Sequence, residues 1–259
     1  MKLFLASDLH VEFHGNIPDA AEEADVILLL GDCHSGVQSF DVAEEYYSKY
    51  EVPVVFVAGN HEFYGHDLDL TLSELKKKSA QHPHIHFLEQ DSVTLNGVRF
   101  LGCTLWSNFS LFGSDTSLLH KNIAQEMIPD FRLIRKGENL FTTDDAEQLF
   151  YSSYNWLKQS LAEPFAGNTV VLTHFAPDIC AVHPQYLQAG KDFLTPYFTS
   201  DCTDLIKDYA IHTWCYGHTH NSIDEIKLAK TRIVSNQRGY PHEPNAFTQF
   251  DPTKLIYIV

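Results

Sequence analysis

Asp8 and His10 stand two residues apart near the start of the chain, and His218 and His220 repeat that spacing near its end. Between the two pairs lie Asp32 directly after Gly31, Asn60 within Gly59-Asn60-His61-Glu62, and His174 after Thr173. In an extended segment residues i and i+2 point to the same side, so each pair is able to aim two donor atoms together. Carboxylate, amide and imidazole donors with no thiolate suit manganese, iron or zinc in paired sites, with manganese favoured. A carboxylate bridges two cations where an imidazole cannot, which makes the isolated Asp32 the natural shared ligand. The glycines at 31, 59 and 217 let the backbone turn sharply and approach closely at each block.

The elements that must position these residues are legible around them. Lys2 to Ala6, Val26 to Leu30 and Val54 to Val57 are short apolar runs of the kind buried inside a sheet. Amphipathic segments, Asp41 to Tyr50 and Leu68 to Lys78, read as helices between and after them. That alternation predicts a parallel βαβ core. Ser92 to Leu95 and Val98 to Cys103 flank Asn96-Gly97, the strongest short hairpin signal. The stretch from 107 to 167 reads as a helical insertion over the sheet edge or the site, with its clearest helix at Asp144 to Leu161. Val170 to Thr173 and Thr213 to Tyr216 return as buried strands; Arg232 to Ser235, Ala246 to Phe250 and Leu255 to Val259 read as a closing meander. Five of these strands end in the donor blocks above. In open α/β sheets ligands bind outside the carboxyl ends of the strands, so the sequence places all seven donors at one edge.

Composition sets the surroundings. At 259 residues with 44% hydrophobic residues, the chain reads as a single folded domain spanning 1–259. A formal charge of −16 repels phosphate backbones and anionic membranes, which argues against a nucleic-acid polymer or a membrane as partner. A phosphate substrate therefore needs a buried positive hole, and bound cations would supply it. Five scattered cysteines with no C-x-x-C pair exclude a disulfide framework and a thiolate zinc site. The N-terminal apolar run is too short for a signal-peptide core, and no run is long enough to span a membrane; the expectation is a cytoplasmic protein. The sequence sets no oligomeric state.

The blocks D-x-H, G-D, G-N-H-[DE], a lone His and G-H-x-H follow one another in this order from residue 8 to residue 220. In that combination the chain resembles the calcineurin-like metallophosphoesterases, and no block departs from the family's pattern. The resemblance implies a four-layer α/β/β/α sandwich with a mixed sheet core and two divalent metal ions at its edge. It implies that Asp8, His10, Asp32 and His220 hold one ion, and Asp32, Asn60, His174 and His218 the other. His61 would then stand beside the ions without binding them and protonate the leaving group. The reaction expected is hydrolysis of a small phosphodiester or phosphomonoester, a nucleotide among the candidates, by in-line attack of a metal-bridging hydroxide.

Other residues read two ways. His34, two beyond Asp32, reads as substrate-facing if the chain stays extended there. Arg238 is able to grip a phosphate bidentately, against its reading as a surface arginine near a turn. The aromatics from Trp106 to Phe112 read first as packing of the insertion on the sheet, and second as a platform for a base or aryl leaving group. His82, His84 and His86 sit in a polar connector without a carboxylate partner and read as non-functional. The alternatives to a small-molecule phosphoesterase are a protein phosphatase, a nuclease or a non-catalytic metal-binding scaffold. The acidic charge and the lack of a basic stripe weigh against the nuclease, and the complete donor set weighs against the scaffold.

Overall fold

Strands that are apolar at every position, without alternation, must be covered on both faces, and that requirement organises the molecule. The computed structural model describes residues 1–244 and 248–259. The strands are β1 Lys2–Ala6, β2 Val26–Leu30, β3 Val54–Val57, β4 Ile85–Phe87, β5 Asp91–Leu95, β6 Val98–Cys103, β7 Arg135–Lys136, β8 Asn139–Leu140, β9 Thr169–Thr173, β10 Thr213–Tyr216, β11 Ile226–Leu228, β12 Thr231–Ser235 and β13 Leu255–Tyr257. One sheet has the order β13-β1-β2-β3-β4, parallel except for β13. The other has the order β11-β12-β10-β9-β6-β5, with a parallel centre and antiparallel edges.

The period of two then sorts the side chains. Leu3, Leu5, Leu28, Val55 and Val57 of the first sheet share one buried cluster with Phe100, Val170, Leu172, Cys215 and Val234 of the second. Their neighbours in sequence, Phe4, Ile27, Leu29 and Phe56, turn the other way and pack with Phe40, Ala43, Tyr46 and Leu75 of helices Gln38–Tyr50 and Leu68–Ala80. Leu101, Val171, Trp214 and Ile233 face the outer layer built on Ala146, Phe150 and Leu157 of helix Thr143–Ala162. The four layers are therefore helix, sheet, sheet and helix, as the family resemblance implies.

Asn96 and Gly97 both have positive φ, 48° and 78°, and Leu95 pairs with Val98, the two-residue hairpin their identity predicts. Three expectations change. Helix Thr143–Ala162 is a covering layer of the second sheet, not an insertion over the site, because its apolar stripe has that sheet's outer face to bury against. The closing strands form no meander: β12 lies beside β10 in the second sheet and β13 beside β1 in the first. Of the strand expected at 246–250, residues 246 and 247 lie outside the described residues, and 248–250 carry no strand. The segment 107–142 also holds a β7–β8 hairpin, which no periodicity announces.

Candidate metal centre

Because β1, β2 and β3 run parallel, their carboxyl ends deliver Asp8, Asp32 and Asn60 to the same edge. The parallel pair β9 and β10 delivers His174 and His218. The two sheets are tied at that edge, where Ser7 bridges Gln237 and the Gly239 amide donates to the Asp8 carbonyl at 3.0 Å; within the second sheet the Gly217 amide donates to the His174 carbonyl at 2.9 Å. All seven predicted donors are 9% exposed or less. Two glycines make room for the carboxylates: a Cβ on Gly59 would lie 2.2 Å from Asp32 Oδ1, and one on Gly217 would lie 2.8 Å from Asp8 Oδ2.

The structure brings the predicted residues together. Donor atoms of Asp8, His10 and His220 converge within 4.8 Å, as do those of Asp32, His174 and His218 and those of His10, Asp32 and His61. The local geometry differs from the expected extended one. Asp8, His10, Asp32, His218 and His220 all have left-handed φ, between 43° and 70°. Backbone strain of this kind persists where the surrounding contacts over-determine it, and it gathers at functional sites.

The residues fit divalent cations. His174 Nδ1 donates to the Leu30 carbonyl at 2.7 Å, so its Nε2 is the donor atom turned toward Asn60 Oδ1 at 3.1 Å. The Asn60 amide is held that way round because its Nδ2 donates to Asp130 Oδ1 at 3.0 Å. His220 Nδ1 donates to Glu243 Oε2 at 2.7 Å, which turns its Nε2 toward His10 Nε2 at 3.1 Å and Asp8 Oδ1 at 3.4 Å. Buried His218 Nε2 has no hydrogen-bond partner among the described residues. Carboxylate or carbonyl partners on the far ring nitrogen are what orient metal-binding histidines.

The electrostatics agree. Burial would lower the imidazole pKa values, but Asp32 holds that of His174 up to about 9, and Asp8 with Glu243 holds that of His220 up to about 10. Burial works against the Asp32 carboxylate too, yet His174 and His61 keep it well below the usual range. His218 and His10 are lowered, chiefly by burial. The field of the buried carboxylates thus holds protons where no cation is present, and cations compete for the same positions.

His61 stands next to this set. Its Nε2 lies 2.9 Å from the Tyr240 hydroxyl and 3.9 Å from Asp32 Oδ2, Nδ1 donates to Glu12 Oε1 at 3.3 Å, and its ring stacks on Tyr64 at 4.1 Å. Burial opposes its protonation, but Asp32 and Glu12 raise its pKa above the usual imidazole value.

The remaining predicted residues go elsewhere. Arg238 donates to the carbonyl and side-chain oxygens of Asn16, at 2.7 and 2.9 Å, and His34 Nδ1 meets the Ser35 carbonyl at 3.2 Å. Neither lines the cavity over the site. Trp106 and Phe109 are buried, and Trp106 packs on Phe63, Phe141 and Phe175, so packing is their role.

Several residues escaped the sequence reading. The Glu62 carboxylate accepts from the amides of Asp32, Cys33 and Gly59, and so holds two of the donor loops together. Its place inside the G-N-H-E block was the available signal. Glu12, Glu243, Tyr240 and Asp130 act through tertiary contact and had none. The cavity itself, about 520 Å³, is walled by residues 128–130 and 182–199. The segment after β9 supplies most of the roof, and residues 128–130 are what the stretch 107–167 adds to it.

Comparison with known proteins is consistent with this geometry. The family model for calcineurin-like phosphoesterases matches residues 1–222. The chain belongs to the calcineurin-like phosphoesterase family. An uncharacterized protein of Acanthamoeba polyphaga mimivirus is 28% identical over 213 residues, covering 76% of this chain and 71% of the viral one. The crystal structure of the phosphopantetheinyl hydrolase from Mycobacterium tuberculosis superposes with a TM-score of 0.67 at 18% identity, covering 93% of this chain and 90% of that one. The family uses divalent metals, and the His/Asp clusters of this chain are able to bind them. Among the described residues no helix is long and apolar enough to cross a membrane.

Proposed function

We propose that the protein is a binuclear metal-dependent hydrolase of a small phosphomonoester or phosphodiester. The observation that carries this reading is the convergence of seven buried donors from five strand ends, with the far nitrogens of His174 and His220 already fixed and His218 Nε2 left unpartnered. Asp8, His10, Asp32 and His220 hold one divalent ion; Asp32, Asn60, His174 and His218 hold the other, and manganese is the favoured metal. When bound, such a pair of ions polarises phosphoryl oxygens and lowers the pKa of water.

The chain's own residues do the rest. Asp32 sits between the two donor groups and orients both, with its Oδ1 also accepting from the His61 amide at 2.8 Å. His61, protonated through Glu12 and Asp32, delivers a proton to the departing oxygen. Tyr240 and Tyr64 fix the direction of that ring. A small substrate is supported by the roofed cavity, and a non-polymeric one by the net charge of −16. All five cysteines are free, in keeping with a cytoplasmic protein.

The test is hydrolysis of p-nitrophenyl phosphate against bis-p-nitrophenyl phosphate with added manganese. Metal-dependent turnover of one of them, abolished by chelation, is expected. Inertness toward both, in protein that has bound the metal, would instead indicate the scaffold.

A further inference from the structure

The cavity over the site has a sharply divided lining. Its floor is the catalytic edge: Asp32, Asn60, His61, His218 and His220. Its walls are Ile128, Val182, Phe193, Leu194 and Phe198, with Tyr186 and Tyr197. Phe193 and Tyr186 stay 37% and 43% exposed, large apolar surface left uncovered inside a concavity. Such surface is costly to leave in water and marks a binding site.

Most polar groups between floor and walls are already engaged, while the buried Thr199 Oγ1 has no partner among the described residues. Asp130 accepts from Asn60, Tyr64 and Tyr197. Glu243 accepts from His220 and from the Tyr240 amide. Thr195 donates to the Tyr186 carbonyl at 2.8 Å, and Thr219 exchanges hydrogen bonds with Gln237. Among the described residues Lys191 is the one lysine or arginine on the lining, and it is exposed at the rim. The walls are also braced: His120 Nδ1 donates to the Phe193 carbonyl at 2.9 Å, and Thr203 donates to Asp178 at 2.6 Å. A ligand in this space meets preformed apolar walls. Among the described lining residues a second phosphate would meet Lys191 and the His183 imidazole, and no arginine.

We infer that the group esterified to the phosphate is apolar, an alkyl or aryl moiety that lies along Ile128, Val182, Phe193 and Phe198 while the phosphate sits on the floor. The inference rests on the phosphoesterase reading and narrows it. Polyanionic esters, nucleoside triphosphates among them, are disfavoured substrates.

The experiment is the manganese-loaded protein assayed on n-alkyl phosphates from ethyl to octyl, beside pyrophosphate and a nucleoside triphosphate. Burying one further methylene predicts that kcat/KM rises about threefold to fourfold per carbon until the cavity is filled, carried in KM rather than kcat. Phe193→Ser, a change at a half-exposed side chain whose anchoring bond is to backbone, should flatten that slope, with a loss that grows from ethyl to octyl phosphate. Lys191→Ala should alter neither. A flat slope in the wild type, a preference for the polyanions, or a larger loss from Lys191→Ala than from Phe193→Ser overturns the inference and leaves the phosphoesterase reading standing. Failure to hydrolyse any phosphoester sinks both.

Discussion

Replacing Asp130 by alanine takes away the acceptor for three groups at once: Asn60 Nδ2 at 3.0 Å, the Tyr64 hydroxyl at 2.6 Å and the Tyr197 hydroxyl. Tyr64 is part-exposed and water can replace its bond, but Asn60 and Tyr197 are 4% and 1% exposed. Asn60 keeps its bond to the Tyr64 hydroxyl at 3.3 Å, which leaves the buried Tyr197 donor unsatisfied, so the substitution should destabilise the fold by roughly 1–3 kcal/mol. The second consequence is local. Without Asp130 only the longer Asn60 Nδ2 bond to the Tyr64 hydroxyl, at 3.3 Å, fixes which end of the amide faces His174 Nε2, and an inverted amide presents N–H where an oxygen donor is needed. Loss of an outer partner of a metal ligand typically weakens metal affinity by about 10–100-fold, which is about 1.4–2.7 kcal/mol. Asp130→Asn is the control: its amide oxygen still accepts from Asn60 and Tyr64, and the Tyr197 hydroxyl is free to turn and accept. It should lose less than about tenfold. Calorimetric titration of the metal-free proteins with manganese measures this directly, with near-ultraviolet circular dichroism to show that each variant is folded. A folded Asp130→Ala protein with wild-type affinity at both sites would refute the reasoning.

His61→Ala should retain its metal content while turnover falls by about 10²–10⁴-fold, and the loss should shrink for leaving groups as acidic as p-nitrophenol. Because Asp32 and Glu12 raise the His61 pKa against its burial, the acid form persists above the usual imidazole value; acid-dependent turnover is complete below that raised pKa and lost as pH rises through it, a limb absent from His61→Ala. His174 and His220, with pKa values near 9 and 10, carry protons at neutral pH, so manganese binding should release protons and apparent affinity should rise with pH until those values are passed; titration in two buffers of different ionisation enthalpy counts the protons, and none released contradicts the assignment. Trp106→Ala should cost about 3–5 kcal/mol of stability in urea denaturation, since the ring is 3% exposed among Phe63, Phe141 and Phe175; a near-neutral change would return the residue to the site.

What the sequence made legible follows from range. Apolar runs such as Val26 to Leu30 and the Asn96-Gly97 turn act locally, and both stand where their chemistry places them. The seven donors were legible because each follows the end of a strand; parallel pairing gathers them within each sheet, and the stacking of the two sheets joins the two groups. Their left-handed backbone was not, since spacing of two looks the same whether the chain is extended or coiled. Asp130 reaches Asn60 across seventy positions and Tyr240 reaches His61 across 179; no pattern within a window joins such pairs. Arg238 drew attention for its guanidinium, yet the nearby Asn16 oxygens claim it. The roof over the site was missed because residues 182–199 hold only two short helices, Pro184–Leu187 and Thr195–Phe198, too short to show a period.

The central claim is that Asp32 is shared by two ions. Elemental analysis of purified wild-type protein and of Asp32→Ala, after equilibration with manganese and removal of free ion, tests it most directly. The account predicts about two ions per chain in the wild type, as paired sites require, and loss of both in the variant, because neither remaining donor group keeps its bridging carboxylate. A wild type that binds no transition metal, or an Asp32→Ala protein that still holds two ions tightly, would contradict it.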